Sequence, residues 1–332
     1  MAVIVLLVVS AGSDQAQAQR RNRNHWTTDA DIGRGEGPVD DQALRDAPAT
    51  PAEWLHYGGN YASWRHSPIE RLTPDSVGDL KLAWMAQTGI PGQLEASPVV
   101  YDGILYLTSA RNRLMALDAK TGELYWRYDH PNPDDLRICC GPANRGVAIA
   151  GDVVLMATLD AKLVALHRKT GEIVWETTID DHTLGFSVTS APLVVGDIAV
   201  IGVGGGEYGV RGYFDGYDVG TGERRWRRYS IPVAGEPGVE SWAGDSWKTG
   251  GGPPWVTGTY DPVNDLLYWP TGNPFPDTDG TERGGDNLYP NSVVALEART
   301  GKLRWHFQYT PHDLHDWDAT EPLLVVNTRF QG

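Results

Sequence analysis

The sequence predicts an all-β fold, a β-propeller assembled from repeated blades, and three observations predict it. A motif that ends in tryptophan recurs at intervals of 42, 49, 51 and 79 residues, and periods of roughly forty to fifty residues are typical of propellers and solenoids. Short apolar, β-branched stretches bounded by Gly and Asp turns lie between the copies, without a long stretch of helical period. The chain is also rich in turn formers, with 39 Gly and 22 Pro. Short antiparallel strands repeated in this way favour a propeller over a helical solenoid.

The repeated motif, Thr-Gly-Glu/Lys-x-x-Trp, predicts both a turn and a packing contact. Four full copies end at Trp126, Trp175, Trp226 and Trp305, and a degenerate copy precedes them at residues 80–84. We expect the Thr-Gly pair to form the turn between the two outer strands of a blade, with Gly at positive φ. We expect each Trp to dock on the adjacent blade and to donate its N–H to backbone there. This structural role explains why the chain has 13 Trp but only five Phe.

The longest interval between motifs predicts an insertion. The 79 residues between Trp226 and Trp305 exceed one blade, so residues 230–292 or so should hold extra chain that is rich in Gly, Pro and Trp. Insertions in propellers usually belong to the functional face. About five blade-equivalents are visible in the sequence. Because an unclosed propeller leaves unpaired sheet edges, we expect either part of a longer propeller or an unusually small ring.

The first residues predict export. Residues 2–9 are apolar but too few to span a bilayer, and the small and polar residues that follow resemble a cleavage site, although a basic n-region is missing. We expect a signal peptide over 1–18, a solvated lead-in over 19–50 and the propeller domain over 51–332. A buried N-terminal strand is the alternative for the first segment. Export predicts a periplasmic location.

The charge and the cysteines restrict the function further. A net charge of −15 and a pI near 4.9 argue against nucleic acid as a partner. The only two cysteines, Cys139 and Cys140, are adjacent, which has a probability below about one in a hundred by chance. In an exported protein they should oxidise, and joined to each other they would close a small, strained ring. Two buried free thiols in a cytosolic protein are the alternative.

From Trp54 onwards the chain resembles the PQQ-dependent methanol and ethanol dehydrogenases. The segments that carry the resemblance are Trp54–Asn60, Cys139-Cys140 with Arg145, Gly205–Gly212, Trp247–Gly252, Thr271–Pro274, and Thr310–Asp313 with Asp316. That family folds as an eight-bladed propeller, so about five of eight blades would be present here. The resemblance implies pyrroloquinoline quinone (PQQ) as the cofactor. It also implies oxidation of a primary alcohol to an aldehyde by hydride transfer to the quinone.

The resemblance assigns the contacts to PQQ. It joins Cys139 and Cys140 in a disulfide against one face of the quinone and places Trp255 against the other face, where a flat disulfide and an indole suit stacking. It implies that Arg145 pairs with a carboxylate of the cofactor. Gly204 stands where the family often has serine. Further contacts are implied for Glu95, Thr189, Gly205 and Gly206.

The resemblance also implies a metal ion held by Glu207, Asn273 and Asp316. All three are oxygen donors, which suits a hard cation such as Ca²⁺ and argues against zinc. The ion would polarise the quinone carbonyl, and Asp316 resembles the general base that takes the hydroxyl proton of the alcohol. Asp318 lies two residues further on, as in the lanthanide-dependent branch, and a trivalent ion accepts another anionic ligand readily. We therefore favour lanthanide(III) over Ca²⁺, with Asp318 as the added ligand.

Two other functions fit the repeats. A PQQ-dependent sugar dehydrogenase shares the superfamily, and a non-catalytic scaffold propeller of the outer-membrane assembly type shares the motif without the chemistry. The adjacent cysteines favour an alcohol dehydrogenase over a sugar dehydrogenase. Glu207 and Asp316 argue against the scaffold, which has no need for these residues. As partners, the resemblance implies a small alcohol and a c-type cytochrome as electron acceptor, and it allows a homodimer.

Overall fold

The computed structural model describes residues 25–27 and 37–329, in which β-strands predominate. In these two ranges the first strand is β1 (His25–Thr27), and the single α-helix is α1 (Asp41–Asp46). Within these residues, no helix has the length and apolarity that crossing a membrane requires. Short 3₁₀ helices cover Ala47–Ala49, Val77–Asp79, Ala110–Asn112, His182–Leu184, Gly206–Tyr208, Val239–Ser241 and Ser246–Thr249.

Four antiparallel sheets of consecutive strands confirm the all-β propeller. Blade 1 contains β2 (Val99–Tyr101), β3 (Ile104–Ser109), β4 (Arg113–Asp118) and β5 (Leu124–Asp129), with β1 added beyond β5. Blade 2 contains β6 (Ala148–Ala150), β7 (Val153–Ala157), β8 (Lys162–His167) and β9 (Ile173–Thr178). Blade 3 contains β10 (Leu193–Val195), β11 (Ile198–Gly202), β12 (Tyr213–Asp218) and β13 (Arg224–Tyr229). Blade 4 contains β14 (Thr259–Asp261), β15 (Leu266–Pro270), β16 (Ser292–Glu297) and β17 (Leu303–Gln308).

The predicted blade count and lead-in need correction. The degenerate copy at 80–84 forms no strand, so the described residues hold four complete blades. The lead-in expected to be solvated over 19–50 is partly buried, because Val39, Leu44 and Ala47 enter the core. The sequence did not predict this packing, because the three apolar residues are isolated within a polar stretch. The expected signal peptide, 1–18, lies outside the described residues.

Three motif tryptophans dock on the next blade and donate their ring N–H, as the repeat predicts. Their ring N–H groups donate to carbonyls in the following Thr-Gly turn: Trp84 to Ala119 at 3.2 Å, Trp126 to Arg168 at 3.0 Å and Trp175 to Val219 at 3.0 Å. Trp226 packs over Gly301 but has no hydrogen-bond partner for Nε1 among the described residues, and Trp305 is 45% exposed. The turn glycine lies under the ring, since a Cβ on Gly122 would approach Trp84 to 2.5 Å. Gly122 has φ of +74°, so its lack of a side chain serves both the turn and the docking.

The predicted insertion is divided in two. Strands β14 and β15 interrupt it, which leaves residues 230–258 between blades 3 and 4 and residues 271–291 inside blade 4. In a sheet of alternating strands, the loops after the second and the fourth strand lie at the same end. Both pieces of the insertion follow such strands, so they reach the same end of the propeller.

A buried histidine gives a prediction about pH. His56 is 6% exposed, and its Nε2 lies 2.8 Å from the backbone oxygen of Leu44 in α1. Burial lowers the pKa of His56 from 6.5 to about 4, although the bond to Leu44 opposes this. The unfolded chain therefore takes up a proton below pH 6.5 that the folded protein refuses until about pH 4. We expect this residue to cost about 3 kcal/mol of stability as the pH falls through that window.

The variant His56→Gln keeps a donor for Leu44 but cannot titrate, so it isolates this effect. Urea unfolding at pH 7 and pH 4.5 should show that the wild type loses more stability on acidification than the variant. An equal loss in both proteins would contradict the assignment.

Candidate active site

Loops at one end of the blades surround a partly enclosed cavity. Four loops carry it: those between blades 1 and 2, between blades 2 and 3, inside blade 3, and between blades 3 and 4. The chain after β17 completes the wall. Eight predicted site residues line this cavity: Cys139, Cys140, Arg145, Thr189, Gly205, Glu207, Trp255 and Asp318. Residues distant in sequence are thus brought to one place by the strand alternation.

Cys139 and Cys140 form a disulfide between chain neighbours, with Cα atoms 3.8 Å apart. The structure therefore favours the disulfide over the pair of free thiols. Both cysteines are exposed to the cavity. Gln93 donates a hydrogen bond to the backbone oxygen of Cys140 at 3.0 Å. Gly141 follows at φ +97°, a conformation that lets the chain turn away directly after the disulfide.

Arg145 lies stacked on the indole of Trp255. Its Cζ is 4.8 Å from the centre of that ring, a cation–π distance. Its Nη2 is 2.7 Å from a carboxylate oxygen of Glu95, and its backbone N–H donates to Thr189 at 2.9 Å. Glu95 does not line the cavity; it orients Arg145 instead of contacting the space directly. The contact to the cofactor that the resemblance implies for Glu95 stays a prediction.

The glycine segment is required by backbone packing. Gly205 has φ of +108°, and a Cβ there would lie 2.1 Å from the backbone oxygen of Gly185. A Cβ on Gly206 would lie 2.8 Å from Pro253. Gly206 packs against Pro253, and the cofactor contact expected for it stays a prediction. Neighbouring loops approach both positions so closely that a side chain has no room at either one.

Ser187 is a cavity residue that the sequence analysis missed. It is buried and lines the cavity. Its backbone oxygen accepts from Gly204 at 2.7 Å, and its Oγ lies 3.1 Å from the position that a Cβ on Gly204 would take. The one available signal was its place two residues before Thr189, since alternate residues of an extended segment share a face.

Two of the four oxygen donors predicted for the metal, Glu207 and Asp318, line the cavity. The carboxylate of Glu207 is within 4.8 Å of both disulfide sulfurs. Asp318 accepts a hydrogen bond from Nε1 of Trp255 at 3.1 Å. Asn273 is buried behind the wall, and its Oδ1 lies 3.6 Å from the position of a Cβ on Gly206, the neighbour of Glu207. Asp316 is exposed and does not line the cavity, so Asp318 is the more deeply placed of the two aspartates.

The carboxylates raise one another's pKa. Burial raises the pKa of Asp318 to about 6, and the charges of Asp316 and Glu207 add to this, while the bond from Trp255 opposes it. Solvent reaches Glu207, yet desolvation by the surrounding protein raises its pKa, and Asp316 and Asp277 raise it further. Burial and the charge of Asp277 likewise raise the pKa of Asp316. These carboxylates are near enough to affect one another's pKa, and oxygen donors suit a hard cation. Among the described residues, however, the carboxylates of Glu207, Asp316 and Asp318 do not form a group with oxygens within 4.8 Å of one another. Asp277 was missed, because it lies in the insertion without a motif.

Known proteins share this architecture. Residues 54–332 match the family model described as the glucose/ethanol/alcohol dehydrogenase β-propeller domain of PQQ proteins. The quinoprotein alcohol dehydrogenase PedH of Pseudomonas putida is 38% identical over 90% of this chain and 53% of its own length. The lanthanide-dependent methanol dehydrogenase of Methylacidiphilum fumariolicum is 36% identical over 85% of this chain and 50% of its own length. The crystal structure of the quinohemoprotein alcohol dehydrogenase of Comamonas testosteroni superposes with a TM-score of 0.83 at 36% identity, over 89% of this chain and 46% of that one.

These matches also set the extent of the similarity. The chain spans about half the length of the curated relatives it matches. The four blades and the cavity are therefore compared with one part of each relative.

Proposed function

Because this chain belongs to the family of PQQ-dependent alcohol dehydrogenases, we propose that it supplies the cofactor and metal site of an enzyme that oxidises a primary alcohol to an aldehyde. One observation carries the proposal. The adjacent-cysteine disulfide, Trp255 and the crowded carboxylates Glu207 and Asp318 all lie on the wall of a single cavity. A scaffold propeller has no need for this combination.

The residues of the cavity suit the chemical groups of the cofactor. Trp255 and the disulfide offer flat surfaces to a planar ring system. Arg145 offers a forked donor for a carboxylate. Glu207, Asn273, Asp316 and Asp318 would hold the metal ion, and the last of these is the ligand that favours a lanthanide. When bound there, PQQ would supply the hydride acceptor and the metal ion would supply a Lewis acid.

Asp316 is the residue that we assign to proton transfer. Its carboxylate is exposed, so an alcohol can approach it from solvent. In the deprotonated form it accepts the hydroxyl proton as the hydride leaves the carbon of the alcohol. Asp318 is buried deeper and is bonded to Trp255, which suits a ligand better than a base.

Dye reduction by the native protein, loaded with PQQ and with either La³⁺ or Ca²⁺, tests the proposal. We expect primary alcohols to support turnover. Faster turnover with aldoses than with alcohols would favour the sugar dehydrogenase. Failure to bind PQQ or to turn over any substrate with either metal would favour the scaffold.

Asp318→Ala tests the preference for a lanthanide. Removal of one anionic ligand should weaken a trivalent ion more than a divalent one, because the Coulomb energy grows with the charge of the ion. We expect La³⁺ affinity to fall at least about tenfold more than Ca²⁺ affinity, which is about 1.4 kcal/mol. Competition titrations of both proteins with the two ions measure this. An unchanged La³⁺ affinity and rate would remove Asp318 from the ligand set.

We further propose that the protein acts in the periplasm and passes its electrons to a c-type cytochrome. The signal-like residues 1–18 and the disulfide support an oxidising compartment. The quinohemoprotein relative is named for a haem, which supports a haem acceptor. A homodimer is also part of the proposal. The molar mass of the native protein in solution, measured by light scattering, tests it.

A further inference from the structure

The loop that carries Asp316 and Asp318 adopts a backbone conformation that needs support. His312, Asp316 and Asp318 have φ values of +49°, +64° and +49°. Residues other than glycine occupy this left-handed region rarely and persist there when surrounding contacts hold them. The contacts that hold this loop therefore decide where its carboxylates lie.

Asp313 closes the loop on itself. Its side chain is buried, and its carboxylate accepts hydrogen bonds from the backbone N–H of His315 and of Trp317, both at 2.9 Å. These two residues flank Asp316. The backbone oxygen of Asp313 accepts a hydrogen bond from the buried guanidinium of Arg283. Asp313 thus fixes both sides of Asp316 without facing the cavity itself.

Asn291 connects this loop to the segment that carries Asn273. Its side chain is fully buried; Nδ2 donates to Asp313 at 2.7 Å, and Oδ1 accepts from the N–H of Ala319 at 3.2 Å. Its backbone N–H donates at 2.9 Å to the oxygen of Gly272, the residue before Asn273. One residue therefore bonds both ends of the loop around Asp316 and Asp318 and, at the same time, the chain next to Asn273.

The side chain at this position must both donate and accept. The carboxylate of Asp313 needs a donor, and the N–H of Ala319 needs an acceptor. Asn meets both needs at once, whereas Asp offers acceptors alone and Ala offers neither. Both polar side-chain atoms of Asn291 take part in these contacts, and the side chain is fully buried, so we place it behind the proposed ligands and not among them.

We propose that Asn291 is a positioning residue of the metal site. It sets the separation between Asn273 and the carboxylates of Asp316 and Asp318, and it keeps the loop closed through Asp313. This inference rests on the proposed function, because it concerns the geometry of the proposed ligand set. Loss of the amide would let the loop move relative to Asn273 and would weaken the hold on the ion.

Terbium(III) titration of the native protein in the presence of PQQ tests the inference without turnover. Energy transfer from Trp255, which is bonded to Asp318, gives a luminescence signal for bound Tb³⁺. We expect Asn291→Ala, which adds no charge, to lower Tb³⁺ affinity at least tenfold. Asn291→Asp would place two carboxylates together and should also weaken binding. Asn291→Gln keeps one donor and one acceptor on a longer side chain, so it should lower the affinity less than Asn291→Ala does.

Asn112→Ala is the matched control. Asn112 is also a buried asparagine at positive φ, +57°, and it is hydrogen-bonded at both side-chain atoms, but it lies in blade 1. We expect it to lower the melting temperature as Asn291→Ala does and to leave Tb³⁺ affinity within twofold of the wild type.

Three outcomes separate the inference from its premise. Wild-type affinity in a folded Asn291→Ala protein overturns the inference alone. If that variant does not fold, a folded Asn291→Asp protein that binds Tb³⁺ with the affinity of the wild type overturns it. If the wild type itself binds no Tb³⁺, the proposed metal site fails, and the inference fails with it.

Discussion

Replacing Asp316 by Asn is expected to lower kcat/KM for alcohol oxidation by about 10²- to 10⁴-fold, the usual contribution of a general base. The amide still offers an oxygen to a cation but cannot take the hydroxyl proton. Steady-state dye reduction with a primary alcohol measures the loss. A Tb³⁺ titration of the same variant shows whether the ion is still bound, which separates the loss of the base from the loss of the metal.

Asp277→Asn provides the control for charge. Asp277 acts on the pKa of both Asp316 and Glu207, so its neutralisation changes the local potential while the base stays in place. We expect a change in rate much smaller than that of Asp316→Asn. Near wild-type turnover in Asp316→Asn would move the base to another residue, and Asp318 would be the next to replace.

Replacing Arg227 by Met is expected to destabilise the protein by about 3 kcal/mol, because the buried carboxylate of Asp215 keeps only the hydroxyl of Tyr217 and a distant guanidinium, that of Arg224 at 3.8 Å. The carboxylate of Asp215 is fully buried and accepts two hydrogen bonds of 2.7 Å from Arg227. Burial raises the pKa of Asp215, and Arg227 opposes that rise. Arg227 also reaches Asp180, beyond the last strand of blade 2, at 3.2 Å. The pair therefore joins two blades as well as two strands.

Arg225→Met is the matched control, since it removes the same side chain from the same strand. Arg225 pairs with Asp218 and Asp197 at the surface, and exposed pairs contribute up to about 1 kcal/mol. Urea unfolding of both variants measures the difference. If Arg227→Met cost no more than Arg225→Met, the buried pair would not hold the blades together.

Local rules explain what could be predicted from the sequence. A docking tryptophan and its Thr-Gly turn recur once per blade. The spacing and the residue types therefore predict that Trp126 docks on the next blade and that Gly122 forms the turn. The adjacency of Cys139 and Cys140 limits them to very few chemical states. Arg145, Trp255, Glu207 and Asp318 were found because each stands in a motif of the family. The buried lead-in residue Leu44 belongs to no repeat and was missed.

The sequence by itself determined the all-β class, the blade repeat with its docking tryptophans, and the residue types of the proposed oxygen-donor site. Only the tertiary structure decided that Arg145 lies on Trp255, that Ser187 reaches the cavity, and that Asn291 joins two ligand segments. The physical reason is range. Turn geometry and strand alternation act over a few residues and leave a periodic trace, whereas these contacts arise where loops of different blades meet, and no spacing along the chain encodes them.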